Sequence, residues 1–384
     1  MKNARQALWQ WCENHFEEQF ALLKTLAAIP APSHHEEQRA NFILDWLRTA
    51  GAEQAYIDAA LNVVLPFGCD GHSDIHVFMA HTDVVFPDTE PLPVYEKEGL
   101  LYAPGVGDNT TNVAALMMCA KYLLSHRLEP KEPVLIVFNS CEEGLGNLKG
   151  VRQIMSDFTG RINKFISFDG QYSSIVHKAV GSERWRVTVS TKGGHSYNAF
   201  GNPNAITCLA ALIVELDNQP LPVVPDVKTT YNVGTIYIQG GTSVNTIAQN
   251  AEMTYEYRSD DATALQQMRQ QFLTLLKHAD HEDVHFTAEL IGERPCGVNV
   301  PEKTEQKLLQ RCAKAVAMVT ATIPALRSGS TDANIPLSLG IPAATFGLCL
   351  GEGAHTRQEY VEINSLLPGL KIGLGLITSC FHEN

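Results

Sequence analysis

Basic charge, paired cysteines and long apolar runs are all scarce in this 384-residue chain. Lysine and arginine number 29 against 42 aspartates and glutamates, for a net charge of -13 at pH 7. Nucleic acid is therefore not an expected partner, because a phosphate backbone demands a basic face. No stretch approaches roughly 18 consecutive apolar residues, so no membrane span is expected. The nine cysteines (Cys12, Cys69, Cys119, Cys141, Cys208, Cys296, Cys312, Cys349, Cys380) are odd in number, scattered and never spaced Cys-x-x-Cys. That usage suits a reducing cytosol. The opening residues, with Trp9, Trp11 and several charges, lack the apolar h-region of a secretory signal. A cytoplasmic location is the expectation.

Several catalytic signatures are also missing. The chain has no Gly-x-Ser-x-Gly elbow, no P-loop and no His-Glu-x-x-His helix. Gly105-Val106-Gly107 lacks the third glycine of a dinucleotide fingerprint, and Asp108 beside it would repel a pyrophosphate. A dehydrogenase is thereby disfavoured.

What the chain does have is a set of metal-binding side chains placed just after apolar runs. Ile75 to Ala80 lead into His81 and Asp83, Val134 to Phe138 into Glu142 and Glu143, Phe165 to Phe168 into Asp169, and Ala343 to Phe346 into a glycine-rich stretch carrying His355. None of these runs alternates cleanly with polar residues, so they read as strands buried on both faces of a helix-covered parallel sheet. After Asp108, apolar residues Val113, Leu116, Met117, Ala120, Leu123 and Leu124 recur at helical spacing, which puts Asp108 just ahead of a helix. In an open α/β sheet, side chains at the carboxyl ends of strands converge on the active-site crevice. Each residue alone has an ordinary explanation, as a cap, a turn or a solvated loop. Their joint occurrence after successive strands points to a centre with ligands enough for two metal ions. Glu142 and Glu143 are adjacent in an extended segment and point in opposite directions, so one can ligate while the other serves as base.

A chain of this length exceeds what one core usually fills, and two domains are expected. Residues 5–28 and 35–50 read as amphipathic helices separated by Pro30 and Pro32, with Ser33 as a candidate cap. Strands and helices then alternate to about residue 178. From residue 181 the pattern becomes an alternating strand, a helix at 203–216, strands near 230–238 and 251–258, a helix at 262–278 and a strand at 283–290. That order, βαββαβ, is ferredoxin-like, with helices on one face of an antiparallel sheet. The expected fold class is thus α/β, a mostly parallel-sheet catalytic domain over 1–180 and 292–384 with an inserted α+β domain over 181–291.

The segments His81-Thr-Asp83, Gly105-Val-Gly-Asp108-Asn109, Glu142-Glu143-Gly144, Asp169-Gly170, Lys192-Gly-Gly-His195-Ser196 and His355 together resemble the dinuclear zinc metallopeptidase family. That family includes peptidase T, glutamate carboxypeptidase, acetylornithine deacetylase and succinyl-diaminopimelate desuccinylase. The resemblance implies two divalent metal ions, zinc with cobalt or manganese as alternatives. One would be held by His81, Asp169 and bridging Asp108, the other by Glu143, His355 and the same Asp108. Asp83 would orient the His81 ring, and Glu142 would be the general base that takes a proton from the attacking water and delivers it to the leaving nitrogen. The peptide bond joining Asp108 to Asn109 is a candidate for the cis form.

In the inserted domain, which would act as lid or dimerisation platform, His195 would donate to the substrate carbonyl, from its own or a neighbouring subunit. Asn245 and Arg258 resemble lid residues that grip a substrate carboxylate, although Glu256 stands where the family often has aspartate. The implied activity is hydrolysis of an amide or peptide bond of small peptides by a peptidase T-like or carboxypeptidase-like exopeptidase. Alternatives are an N-acyl amino acid deacylase on the same scaffold and a catalytically silent metal- or peptide-binding protein.

Overall fold

A computed structural model of the chain describes residues 2–239, 243–298 and 300–382. They form two compact units, one of Met1–Ala179 with Val298–Asn384 and one of Val180–Gly297.

The first unit is built on an eight-stranded sheet in the order Tyr56–Ile57, Val63–Phe67, Val134–Asn139, Ile75–His81, Ile162–Ser167, Ala343–Thr345, Ser174–Ala179, Ala325–Gly329. The four central strands, from Val134–Asn139 to Ala343–Thr345, run parallel, while the pairings at Val63–Phe67 are antiparallel. Every residue of Ile75–His81 and Val134–Asn139 is buried, as a sheet covered on both faces requires. Alternate side chains enter opposite cores. Phe78, Ile136, Phe138 and Ile166 pack with the helices Phe16–Ala28, Glu37–Thr49, Thr111–Ser125, Glu302–Thr320 and Ile363–Thr378. Val77, Met79, Val137 and Phe165 pack on the other face against Lys149–Asp157. Burying one such phenylalanine contributes about 1.5–3 kcal/mol.

The second unit is a four-stranded antiparallel sheet in the order Thr229–Gln239, Asn250–Ser259, Gly181–Thr191, Val284–Arg294. Inward residues of the central strands (Trp185, Val187, Val189, Met253, Tyr255, Tyr257) form a core with Leu209, Leu212 and Phe272 of the helices Ala205–Asp217 and Ala262–Ala279. Both helices begin with a side-chain cap. Asn204 accepts the N–H of Ile206 at 2.9 Å, and Asp261 that of Ala264 at 2.8 Å.

Three local expectations change. The expected 5–28 helix is two helices, Lys2–Asn14 and Phe16–Ala28. At His15 between them the ring N–H donates to the Trp11 carbonyl at 2.8 Å, and the imidazole stacks on Trp11. Apolar spacing does not register a one-residue break. Ser33 does not cap Glu37–Thr49; its hydroxyl donates instead to Asp83 Oδ2 at 2.7 Å. The last strand of the second unit also runs on to Arg294, past the expected 290.

Candidate metal centre

The parallel register of the first unit delivers the candidate residues to one end of its sheet. His81 closes its strand opposite Asn139, and Met79 pairs with Ser167, just before Asp169. Beyond Asn139 the chain turns through Cys141 in the left-handed region, φ 57°, where a non-glycine residue is uncommon. Glu36 secures that turn by accepting the N–H groups of His34 (3.1 Å) and Cys141 (2.9 Å). Glu142 and Glu143 follow, both buried.

Asp83 ties three of these residues together. Its Oδ1 lies 3.4 Å from His81 Nδ1 and accepts the N–H of Glu142 at 3.0 Å, while Oδ2 accepts that of Glu143 at 2.9 Å. The carboxylate faces the ring nitrogen that points away from the cluster and also sets the backbone carrying both glutamates.

Asp108 lies between the two histidines. His81 Nε2 is 3.1 Å from Asp108 Oδ1 and 3.8 Å from Asp169 Oδ1. His355 Nε2 is 3.2 Å from Asp108 Oδ2 and 3.3 Å from Glu143 Oε1. The Asp108–Asn109 peptide bond is cis. Asn109 Nδ2 donates to the Phe168 carbonyl at 2.8 Å, and Asn112 donates to Asn109 Oδ1 and accepts the Leu348 N–H. These amides join the turn bearing Asp108 to the loops that follow the Ile162–Ser167 and Ala343–Thr345 strands.

Ligand atoms converge within 4.8 Å in three overlapping groups, His81 with Asp108 and Asp169, Asp108 with Glu143 and His355, and His81 with Glu142 and Glu143. The electrostatics fit divalent cations. Burial alone would lower the His81 imidazole, but hydrogen bonds to Asp108, Asp169 and Asp83 hold it well above its ordinary value. Asp108 and then Glu143 raise His355 to about 10. Burial raises Glu143, and the His355 ring beside its Oε1 opposes that rise. Three carboxylates gathered about two imidazoles concentrate negative charge that a divalent cation would balance. Nitrogen and carboxylate donors of this kind suit zinc, cobalt or manganese.

The second unit carries the other predicted residues. His195 is exposed, and its Nδ1 accepts the Tyr197 N–H at 3.3 Å, which leaves Nε2 as the protonated nitrogen. Asn245 is its neighbour, with its carbonyl accepting the Ser196 N–H at 2.9 Å and its side-chain oxygen accepting the Ser243 hydroxyl. Arg258 is not part of that group. It lies near the far end of the Asn250–Ser259 strand, paired with Glu256 through Nε at 3.0 Å and Nη2 at 3.2 Å. Glu256 also accepts from Arg184 at 3.3 Å.

Residues 77–379 match the model of peptidase family M20/M25/M40. The chain belongs to that family. Family membership makes it a metal-dependent hydrolase of the amide bonds of small peptides or N-acyl amino acids. An acetylornithine deacetylase of Myxococcus xanthus is 26% identical over 301 residues, covering 75% of this chain and 76% of the relative. A tripeptidase of Staphylococcus aureus shares the fold with a TM-score of 0.74 at 19% identity, covering 95% of this chain and 98% of that one. A dinuclear metal-binding peptidase of Bacillus subtilis superposes with a TM-score of 0.61 at 15% identity, covering 95% and 99%. Among the described residues, no helix is long and apolar enough to cross a membrane.

Sequence reading missed several residues of this M20 site. Ser33 and Glu36 support Asp83 and the Cys141 turn. Asp332 was not among them, since the 327–332 loop that it ends resembles a substrate-side segment in sequence, with a connecting loop as the other reading; it is fully buried, accepts the Asn139 amide at 2.8 Å and is pushed up to about 7 by burial. Glu359, 1% exposed, accepts three backbone N–H groups from the turn that carries Asp108. Ser33, Glu36 and Glu359 are lone polar residues in loops, partnered by a distant carboxylate or by backbone N–H groups, and no spacing rule announces them. Beside Asp108 a cavity of about 300 Å³ is lined by Gly107, Gly170, Gln171, Glu352 and Tyr360.

Proposed function

We propose that this M20 chain is an exopeptidase of small peptides, acting through two divalent cations held by His81, Asp108 and Asp169 and by Asp108, Glu143 and His355. Zinc is the proposed metal, with cobalt or manganese able to replace it. The observation that carries the reading is the Asp108 carboxylate, which offers one oxygen to each histidine with Glu142 in the same cluster. Such a pair of cations supplies Lewis acidity toward water and the scissile carbonyl.

The protein's own residues do the rest. Asp83 holds the His81 ring and the backbone of both glutamates. Glu142 takes a proton from the attacking water and returns it to the leaving nitrogen. His195, with Nδ1 occupied by a backbone N–H, presents Nε2–H to the carbonyl oxygen as negative charge develops there. Asn245 and Arg258 contribute to binding the substrate carboxylate, from separate parts of the inserted unit. That unit serves as lid and dimerisation platform; exposed Ile236 and Tyr237 on the outer Thr229–Gln239 strand support a homodimer. Nine cysteines with no disulfide among them fit a cytoplasmic setting.

A second reading, an N-acyl amino acid deacylase, draws support from the Myxococcus relative. The test is hydrolysis of a panel of dipeptides, tripeptides and N-acyl amino acids with added zinc, manganese or cobalt. Free peptides should be cleaved fastest; preference for N-acyl substrates would favour the second reading. Glu142→Gln should lose about 10²- to 10⁴-fold in kcat while retaining metal. Turnover undiminished in that variant rejects Glu142 as base, and an inactive wild type rejects the enzyme.

A further inference from the structure

Glu359 sits four residues after His355 yet spends its carboxylate on a different loop. Oε2 accepts the Gly105 N–H at 2.9 Å, and Oε1 accepts those of Gly107 at 2.7 Å and Asp108 at 2.8 Å. Successive backbone N–H groups that converge in a turn form a concavity suited to an anion, and here a buried side chain of the same molecule fills it. The two loops also spring from paired strands, because Leu100–Tyr102 leads into the Asp108 turn and pairs with Tyr360–Glu362, which follows Glu359. Gly107 admits this approach, since a Cβ there would stand 3.1 Å from Glu359 Oε1. One carboxylate therefore spans the turn that presents Asp108 and the loop that presents His355.

We propose that Glu359 is a positioning residue that clamps the 105–108 turn to the His355 loop, so that Asp108 and His355 face the same cation together. The proposal rests on the reading of the centre given above. Isosteric Glu359→Gln removes one acceptor oxygen and turns an N–H₂ toward backbone donors, and Gly107→Ala presses on the clamp from the opposite side. The test compares both with wild type by zinc titration of the metal-free protein against a chromophoric chelator, and by kcat and KM of the reloaded enzyme. Both variants should bind zinc about 10- to 100-fold more weakly, with kcat falling in step and KM changing far less. In metal-free wild type, hydrogen exchange should show the 105–108 amides protected, a readout that does not depend on either variant folding.

A role confined to folding would lower the melting temperature while leaving zinc affinity and kcat per loaded molecule at wild-type values, and that result overturns the proposal. Rapid exchange of the 105–108 amides overturns it too. Failure of the centre itself looks different, because wild type would then fail to bind two zinc ions, or Asp108→Asn would bind them unchanged.

Discussion

The two units hold their candidate residues in opposite ways. At the sheet end of the first, His81, Asp83, Glu142 and Glu143 are buried and cross-linked through backbone. In the second, His195 is exposed on the two-residue strand Gly194–His195, which pairs with Thr246–Ile247, and Arg258 is tied to Glu256 rather than to any other predicted residue. The contrast separates two kinds of work. On the proposed roles, chemistry that needs fixed distances sits where strand register sets them, and recognition sits on residues whose partners are few. Pre-organised groups lose little by reorganisation during reaction, whereas adaptable ones can follow a changing substrate.

The most severe test of the contrast is Asp108→Ala, which removes the oxygen facing each histidine at once. Zinc content should fall below two ions per chain and activity should drop by at least about 10³-fold, on the scale of losing a whole catalytic group; elemental analysis with a turnover assay checks both. Asp83→Asn should come next, with metal affinity or kcat lowered about 10- to 100-fold, measured by chelator competition. His195→Ala should cost kcat up to about 10²-fold, the lower range for a single carbonyl-stabilising donor, with metal content at wild type. A loss of metal there would break the division between the units. Arg258→Ala should mainly raise KM for substrates with a free carboxylate, by about tenfold as expected for one charge-assisted hydrogen bond, and steady-state kinetics on peptide and peptide-amide pairs would detect it. Smallest is Asp261→Ala in the cap of the Ala262–Ala279 helix, expected to cost about 1 kcal/mol of stability in a denaturant melt.

The apolar runs made the fold legible. Uninterrupted burial along Ile75–His81 and Val134–Asn139 left only a covered parallel sheet as an economical reading, and the switch to alternation at Arg184–Val189 marked the antiparallel unit. The candidate metal ligands were visible because histidine and acidic residues just after a buried strand are chemically conspicuous. Glu359, Glu36 and Ser33 were not, because their partners are backbone N–H groups or a carboxylate brought near only by folding. Ser33 before a predicted helix has the composition of a cap, and nothing local tells its hydroxyl to choose Asp83. The separation of Arg258 from His195 likewise follows from strand register, which the alternating pattern fixes in face but not in pairing partner.

The shared anchor at Asp83 carries a consequence for how this protein can vary. A single carboxylate orders an imidazole and two consecutive peptide groups, so the faults it prevents are correlated. On the proposed roles of His81, Glu142 and Glu143, a mutation there would spoil the proton-transfer and cation-holding sides in one stroke, and compensating for it would require several coordinated changes. Loops that merely contact substrate have no such common root and can drift one position at a time.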